Sequence, residues 1–286
     1  MLMDIDKTEA KVDKEMVSFL THTLSNSLCT VPSTLREIIE RLSASYEQKT
    51  EVINEVASLL TTFSIVGTLI KTFKLYVAEQ RIFDLSWHQD NQGEGNIELV
   101  LAFVLRETVG RMLFNRPKKF KKLVSNGTTV NIKALQQSFM NEVMVLELNH
   151  KNAEKIFQWL SQNLNLFSFD LEKTDTIHFK RNGIRFTFMF AILSELIYNA
   201  LKYSNSNRIE LTWRMVQDHY NFTIRNTFDF ERRHEGDSTR KGLVFVKKLM
   251  DRLGKSELEI VETNNLFTVK LLFHKTHFEE NTCEYC

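Results

Sequence analysis

Three polar side chains in the C-terminal half of the chain recur at helical spacing: Glu195, Asn199 and Lys202. Residues three and four positions apart lie on one face of a helix. The remaining surface would be apolar, formed by Ile192, Leu193, Leu196, Ile197, Ala200 and Leu201. A carboxylate can activate an attacking group, a carboxamide oxygen can bind Mg²⁺, and an ammonium can neutralise phosphate oxygens. The pattern therefore fits phosphoryl transfer, although an amphipathic helix with a solvated polar stripe has the same spacing.

A histidine near the N-terminus is a candidate for receiving the phosphoryl group. His22 lies in a segment whose apolar residues keep helical spacing, namely Met16, Phe19, Leu20, Leu24 and Leu28. A lone histidine beside such a seam is more often structural than chemical. Its significance depends on the polar face around Glu195, because an imidazole nitrogen is a nucleophile that can accept a phosphoryl group.

The ten residues from Glu195 to Ser204 resemble the N box of the GHKL ATPase superfamily, and above all that of sensor histidine kinases. The resemblance implies that Glu195 acts near the attacking group. It implies that Asn199 is the metal ligand for Mg²⁺ and that Lys202 reaches a phosphate. The implied cofactors are ATP and Mg²⁺.

The later elements of the family follow in order but with few glycines. Alternating residues predict two hairpins of strands, one from Arg208 to Arg225 and one from Glu257 to Phe273. After the first hairpin, Asn226 takes the place of the aspartate that binds adenine in typical members, and its oxygen can accept the same hydrogen bond. The resemblance implies that the segment from about Phe230 to Asp237 covers the nucleotide.

The family's glycine-rich phosphate loop is reduced to Gly242 followed by Leu243. We expect a helix from Gly242 to Gly254 whose first amides bind phosphate, with Lys241 adding positive charge. An ordinary capped helix with exposed basic residues remains the alternative.

The segment around His22 resembles the H box of the same family. The resemblance implies that His22 is the phosphorylated histidine. Thr23 stands where the family has an acid that holds the imidazole, and as a neutral residue it is a weaker partner. Asn26, four positions after the histidine, matches the residue that orients a hydrolytic water in the phosphatase reaction.

The fold class that we predict is α+β. An antiparallel helical hairpin, completed by a run from Val52 to about Phe83, would form a four-helix bundle on dimerisation. A Bergerat-type α/β sandwich would follow, with a mixed sheet and helices on one face. The predicted domains are a dimerisation and phosphoacceptor domain (1–90) and an ATP-binding domain (91–286) with a divergent helical insertion at about 96–164. A helical domain that merely packs on its neighbour is the alternative to the hairpin.

Within the insertion, apolar spacing predicts helices over Asn96–Phe114, Ile132–Leu148 and Lys151–Leu164. The basic stretch from Arg116 to Lys122 is interpreted as a solvated turn, and the residues from Leu123 to Ile132 as a β-hairpin.

Composition limits the classes of partner and compartment. The net charge is only +1, from 37 basic and 36 acidic residues, which argues against a nucleic-acid partner. No apolar run in the sequence is expected to span a membrane, and the acidic N-terminus does not resemble a signal peptide. Three cysteines without a zinc-type second pair also favour a cytoplasmic location.

The function predicted from the sequence is that of an ATP-dependent protein histidine kinase of a two-component system. It would phosphorylate His22 and pass the phosphoryl group to an aspartate of a response-regulator receiver domain. We expect a homodimer. Because barely fifteen residues precede the first helix, input would come from a separate sensor protein or from a longer chain. The alternatives are a degenerate kinase-like scaffold and a histidine phosphotransfer protein, both with little or no ATP turnover.

Overall fold

The computed structural model describes residues 59, 80–90, 93–125, 129–146, 149–180, 183–228, 241–263 and 265–278. The helices are α1 Gln80–Gln89, α2 Ile97–Asn115, α3 Pro117–Val124, α4 Ile132–Phe139, α5 His150–Leu164, α6 Ile184–Tyr203 and α7 Lys241–Leu253. The strands are β1 Phe167–Leu171, β2 Ser204–Val216, β3 His219–Phe228, β4 Ser256–Thr263 and β5 Leu266–His274. A π-helical segment, Met140–Met144, continues α4, and short 3₁₀ turns lie at Thr174–Thr176 and Lys275–His277.

The five strands form one mixed sheet in the order β1-β2-β3-β5-β4. β1 runs parallel to β2, and the other neighbouring pairs are antiparallel. The two hairpins predicted from alternating residues are confirmed as β2–β3 and β4–β5. Their turns contain Gln217 and Asn265, both with positive φ, a conformation that asparagine and glycine adopt most readily.

One face of the sheet is covered and apolar, while the other is polar. Residues paired across the covered face include Phe169, Leu211, Ile224 and Val269. The opposite face carries ion pairs, in which Arg214 contacts Asp170 and Glu172 and Lys270 lies 2.9 Å from Glu259. Alternate residues of a strand point to opposite sides, so this division follows from the sequence pattern. The predicted mixed sheet with helices on one face is confirmed for the described part of the chain.

Helix α6 is the central helix of the covered face. It packs against α2 and against strands β2 and β3, and most of its side chains are buried. Among the described helices, α6 is the one long and apolar enough to cross a membrane by length and composition. An apolar stretch of this length was not expected from the sequence. Its burial in the core explains why it is apolar on nearly every side.

The start of α6 is held by residues that precede the insertion. Asp90 is buried and accepts hydrogen bonds from the backbone nitrogens of Lys180 and Arg185, at 3.0 and 2.7 Å. Its carboxylate therefore acts as an N-terminal cap for α6, whose own cap residue, Gly183, has no side chain. Arg185 Nε in turn donates to the carbonyl oxygen of Trp87, at 2.9 Å. These contacts attach α1 to the helix that carries Glu195.

The insertion is helical as predicted, except for one error. α2, α4 with its π-helical continuation, and α5 confirm the three predicted helices. The interpretation of Arg116–Lys122 as a turn, and of Leu123 and Val124 as part of a hairpin, was wrong, because α3 covers Pro117–Val124. Proline is favoured in the first turn of a helix. Phe120, Leu123 and Val124 then fall on one face of α3, which is buried.

The predicted hairpin at the N-terminus lies almost entirely outside the described residues. Only Leu59 and the helix α1, at the end of the second predicted run, are described. The domain boundaries therefore stay predictions. In the described part, α2 and α5 share one hydrophobic core with α6 and the sheet.

Candidate functional site

Helix α6 presents the acidic and amide groups of the site as a hydrogen-bonded pair. Asn199 Nδ2 donates to Glu195 Oε1 at 2.8 Å, across one helical turn. The amide nitrogen is thereby engaged by the carboxylate, and the carboxamide oxygen remains as the group that can accept or coordinate. Oxygen is the ligand atom that Mg²⁺ prefers. The spacing predicted from the sequence thus gives direct contact between two of the three residues.

The start of helix α7 lies directly against Glu195. A Cβ atom built on Gly242 would overlap Glu195 Oε1 and would lie 2.5 Å from its Cδ and 2.9 Å from its Cγ. Only glycine permits the carboxylate to lie this close to the α7 backbone. Gly242 is the second residue of α7, where backbone N–H groups have no partner within the helix. The glycine is required here by close approach, not by an unusual backbone angle.

The electrostatic environment of Glu195 sets its protonation. Burial raises the pKa of the carboxyl group above its ordinary value, and this effect outweighs the hydrogen bond from Asn199 and the positive charges of Arg111 and Lys202, which lower it. A raised pKa brings a carboxylate closer to the working range of a general base.

Replacing Glu195 with glutamine is expected to stabilise the protein at pH 7. Since the pKa of Glu195 is higher in the folded than in the unfolded chain, the parent loses stability as pH rises between these two values. Glutamine does not titrate, so the variant lacks this loss and its Tm at pH 7 should lie a few degrees above that of the parent. The gain should diminish toward pH 4, where the parent carboxyl becomes protonated in both states.

Thermal melts of both proteins between pH 4 and pH 8 measure this effect. Glu154→Gln, in which an exposed carboxylate of α5 is replaced, is the matched control and should change Tm little at any pH. A Glu195→Gln variant that melts below the parent at pH 7 would contradict the expected sign.

Asn226 supplies a buried acceptor on the neighbouring strand. Its side chain is only 2% exposed, and Nδ2 donates to the Thr227 carbonyl oxygen at 3.0 Å. Oδ1 is buried and has no partner among the described residues. A buried acceptor of this kind costs free energy unless a ligand supplies a donor. The site therefore fits a group such as the adenine amino group. Asn226 lies on β3, against which α6 packs.

The remaining predicted residues lie near the end of α6 and at the start of α7. Lys202 is on α6, with Nζ 4.7 Å from the centre of the Tyr203 ring. Leu243 follows Gly242 in the first turn of α7 and packs against the core. Lys241 begins α7, so the helix starts one residue before the predicted start at Gly242. The helix ends before Gly254, whose φ of +65° suits glycine.

One charged residue at the site was not identified from the sequence. Arg111 projects from α2 onto α6, where its guanidinium carbon lies 4.1 Å from the centre of the Tyr198 ring. A signal was present, because Arg111 is one of few charges on an otherwise apolar helix. Tyr198, however, lies on a different helix and far away in sequence, so the periodicity of α2 could not predict that Arg111 contacts it.

The predicted phosphoacceptor group lies outside the described residues. This applies to His22, Thr23 and Asn26, as well as to the segment from Phe230 to Asp237 that we expected to cover the nucleotide. The roles of these residues stay predictions. The structure brings together Glu195, Asn199 and Gly242, although Gly242 lies more than forty positions beyond the other two in the chain.

No protein-family model and no curated protein sequence matches the chain. Among solved structures, the histidine kinase AdeS of Acinetobacter baumannii matches over 89% of this chain and 98% of its own length, with 14% identity and a TM-score of 0.41. The catalytic domain of the histidine kinase ThkA matches over 42% and 85%, with 17% identity and a TM-score of 0.32. The histidine kinase domain of a blue-light-activated kinase of Erythrobacter litoralis matches over 63% and 95%, with 12% identity and a TM-score of 0.31. All three of these solved structures are histidine kinases or domains of histidine kinases.

Proposed function

We propose that this chain is an ATP-dependent protein histidine kinase that phosphorylates His22. The observation that carries the proposal is the hydrogen-bonded pair of Glu195 and Asn199 lying against Gly242 at the start of α7. A carboxylate, a carboxamide oxygen and a helix N-terminus are the groups needed to orient a nucleophile, hold Mg²⁺ and bind phosphate. An amphipathic helix with a merely solvated stripe would not require glycine at position 242.

Different residues of the site would bind different parts of ATP. Asn226 Oδ1 would accept a hydrogen bond from the adenine amino group, since its own amide nitrogen is engaged by Thr227. Lys202 would neutralise phosphate oxygens, and Asn199 Oδ1 would hold Mg²⁺. When bound, Mg²⁺ neutralises charge on the phosphate oxygens.

The transfer itself would take place between His22 and the γ-phosphate of ATP. A ring nitrogen of His22 forms a bond to phosphorus while the bond to the bridging oxygen breaks and ADP leaves. Glu195 accepts the proton that the imidazole loses. The phosphoryl group then passes to an aspartate of a response-regulator receiver domain. We place the reaction in a homodimer that receives its signal from a separate sensor protein or from further domains.

Incubation of the purified protein with γ-labelled ATP and Mg²⁺ tests the proposal. We expect label that is lost in acid but retained in alkali, as is characteristic of phosphorylated histidine, and none in His22→Gln. His178→Gln removes an exposed histidine elsewhere and is the matched control. It should be labelled like the parent.

Two results would overturn the kinase assignment. If the parent takes up no label and binds no nucleotide in calorimetry, a kinase-like scaffold explains the fold better. If His22 is labelled only when another kinase or a phosphorylated receiver is supplied, the chain is a phosphotransfer protein.

A further inference from the structure

The nucleotide site of the proposed function combines the carboxylate of Glu195 with the several negative charges of a nucleoside triphosphate. Glu195 lies against the start of α7, where an incoming phosphate would be expected. A carboxylate and a phosphate repel each other at this range. The cations already assigned to the site, Lys202, Lys241 and Mg²⁺, act on the phosphates. A further positive charge close to Glu195 would reduce the repulsion between its carboxylate and the phosphates.

Arg111 is placed to provide that charge. Its guanidinium carbon lies 4.1 Å from the centre of the Tyr198 ring. Tyr198 follows Glu195 by three positions and precedes Lys202 by four, so it lies between them on the same face of α6. Arg111, which belongs to α2, thus lies beside the middle of the polar face of α6 between Glu195 and Lys202. Its positive charge also acts on Glu195, whose pKa it lowers.

The contact with Tyr198 also orients the guanidinium group. A guanidinium over an aromatic ring is held by cation–π attraction, and its N–H groups remain available at its edge. Within the ranges that the structure describes, the Arg111 side chain has no hydrogen bond and no ion pair. By contrast, Arg106 on the same helix is already engaged by Glu107 at 3.0 Å and by the Leu146 carbonyl oxygen.

We propose that Arg111 is a phosphate-binding residue of this site, presented by the Tyr198 ring as an additional cation beside Lys202. The ligand is the polyphosphate of a nucleoside triphosphate, which a guanidinium can bind through two parallel hydrogen bonds. The inference rests on the proposed function. It adds a binding residue supplied by the inserted helix α2, on which none of the nucleotide-binding residues predicted from the sequence lies.

Calorimetric titration of the whole chain with ATP, ADP and adenosine, each with Mg²⁺, tests this role. We expect Arg111→Ala to weaken ATP binding about tenfold or more, ADP binding less, and adenosine binding by less than about twofold. Arg111→Lys keeps the charge without the planar fork and should lie between parent and alanine variant. Tyr198→Phe keeps the ring and should bind ATP like the parent.

Arg214→Ala is the matched control, since it removes one positive charge from the opposite face of the sheet. It should leave all three affinities unchanged. Circular dichroism of each variant verifies that its total helical content is that of the parent.

The outcomes separate this inference from the proposed function. If the parent binds ATP and Arg111→Ala binds it equally well, Arg111 is not a phosphate ligand, and the kinase proposal stands. If Arg111→Ala loses ATP and adenosine to the same extent, the residue is structural and the inference is wrong. If the parent binds none of the three ligands, both proposals fail.

Discussion

Replacement of Asn199 by alanine is expected to reduce labelling from ATP by about a hundredfold or more, while the protein stays folded. The variant loses the carboxamide oxygen assigned to Mg²⁺, and Glu195 loses the donor that lies 2.8 Å from its Oε1. Without that hydrogen bond the pKa of Glu195 should rise further, since the bond is one of the interactions that lower it. The initial rate of labelling, measured over a range of Mg²⁺ concentrations, determines the effect.

Asn163→Ala provides the comparison for this variant. Asn163 is an exposed asparagine of α5 that also donates to a group four positions earlier, the Trp159 carbonyl oxygen, at 3.0 Å. Its loss removes a similar hydrogen bond far from Glu195 and should leave labelling unchanged. Labelling of Asn199→Ala at the parent rate, at any Mg²⁺ concentration, would refute the assignment of Asn199.

Replacement of Gly242 by alanine is expected to lower labelling by roughly a hundredfold with little change in stability. The added methyl group would overlap Glu195 Oε1, so the carboxylate must move away from the start of α7. Its side chain is long enough to do so without unfolding. Alanine also favours the helical backbone by about 1 kcal/mol relative to glycine, which offsets the cost of the displacement.

A double-mutant cycle separates the steric effect from the helical one. In a Glu195→Ala background the overlap is absent, so Gly242→Ala should raise Tm there by more than it does in the parent. The difference between the two changes in Tm measures the coupling of the two residues. Equal changes in both backgrounds, with full labelling of Gly242→Ala, would show that Gly242 does not serve Glu195.

The sequence alone determined the order and type of the elements in the C-terminal half. Periodic apolar residues identified α6, and alternating residues identified the hairpins β2–β3 and β4–β5. The start of α7 near Gly242 was also predicted. These features could be predicted because each depends on residues that are neighbours in the chain. Helix α3 was not predicted, because the basic residues between Arg116 and Lys122 were interpreted as a turn, although Phe120, Leu123 and Val124 form a buried helical face.

The candidate site was predictable only where it lies on one helix. The spacing of Glu195 and Asn199 required no knowledge of the fold, and their hydrogen bond follows from one turn of α6. The orientation of the Asn226 amide, with its nitrogen on Thr227 and its oxygen buried, could not be derived from sequence, because it depends on which groups surround β3.

Contacts between distant segments were decided by the tertiary structure alone. It places Gly242 against Glu195, Arg111 over Tyr198, and the Asp90 carboxylate at the start of α6. It also partly buries Glu195, and the resulting desolvation raises the pKa of this carboxyl group. The spacing of residues in the sequence indicates which of them share a face of one helix or strand. The desolvation of a side chain and its distance from other charges depend on what packs against that face. The sequence therefore determined which groups the chain offers for chemistry, and only packing decided which of them meet.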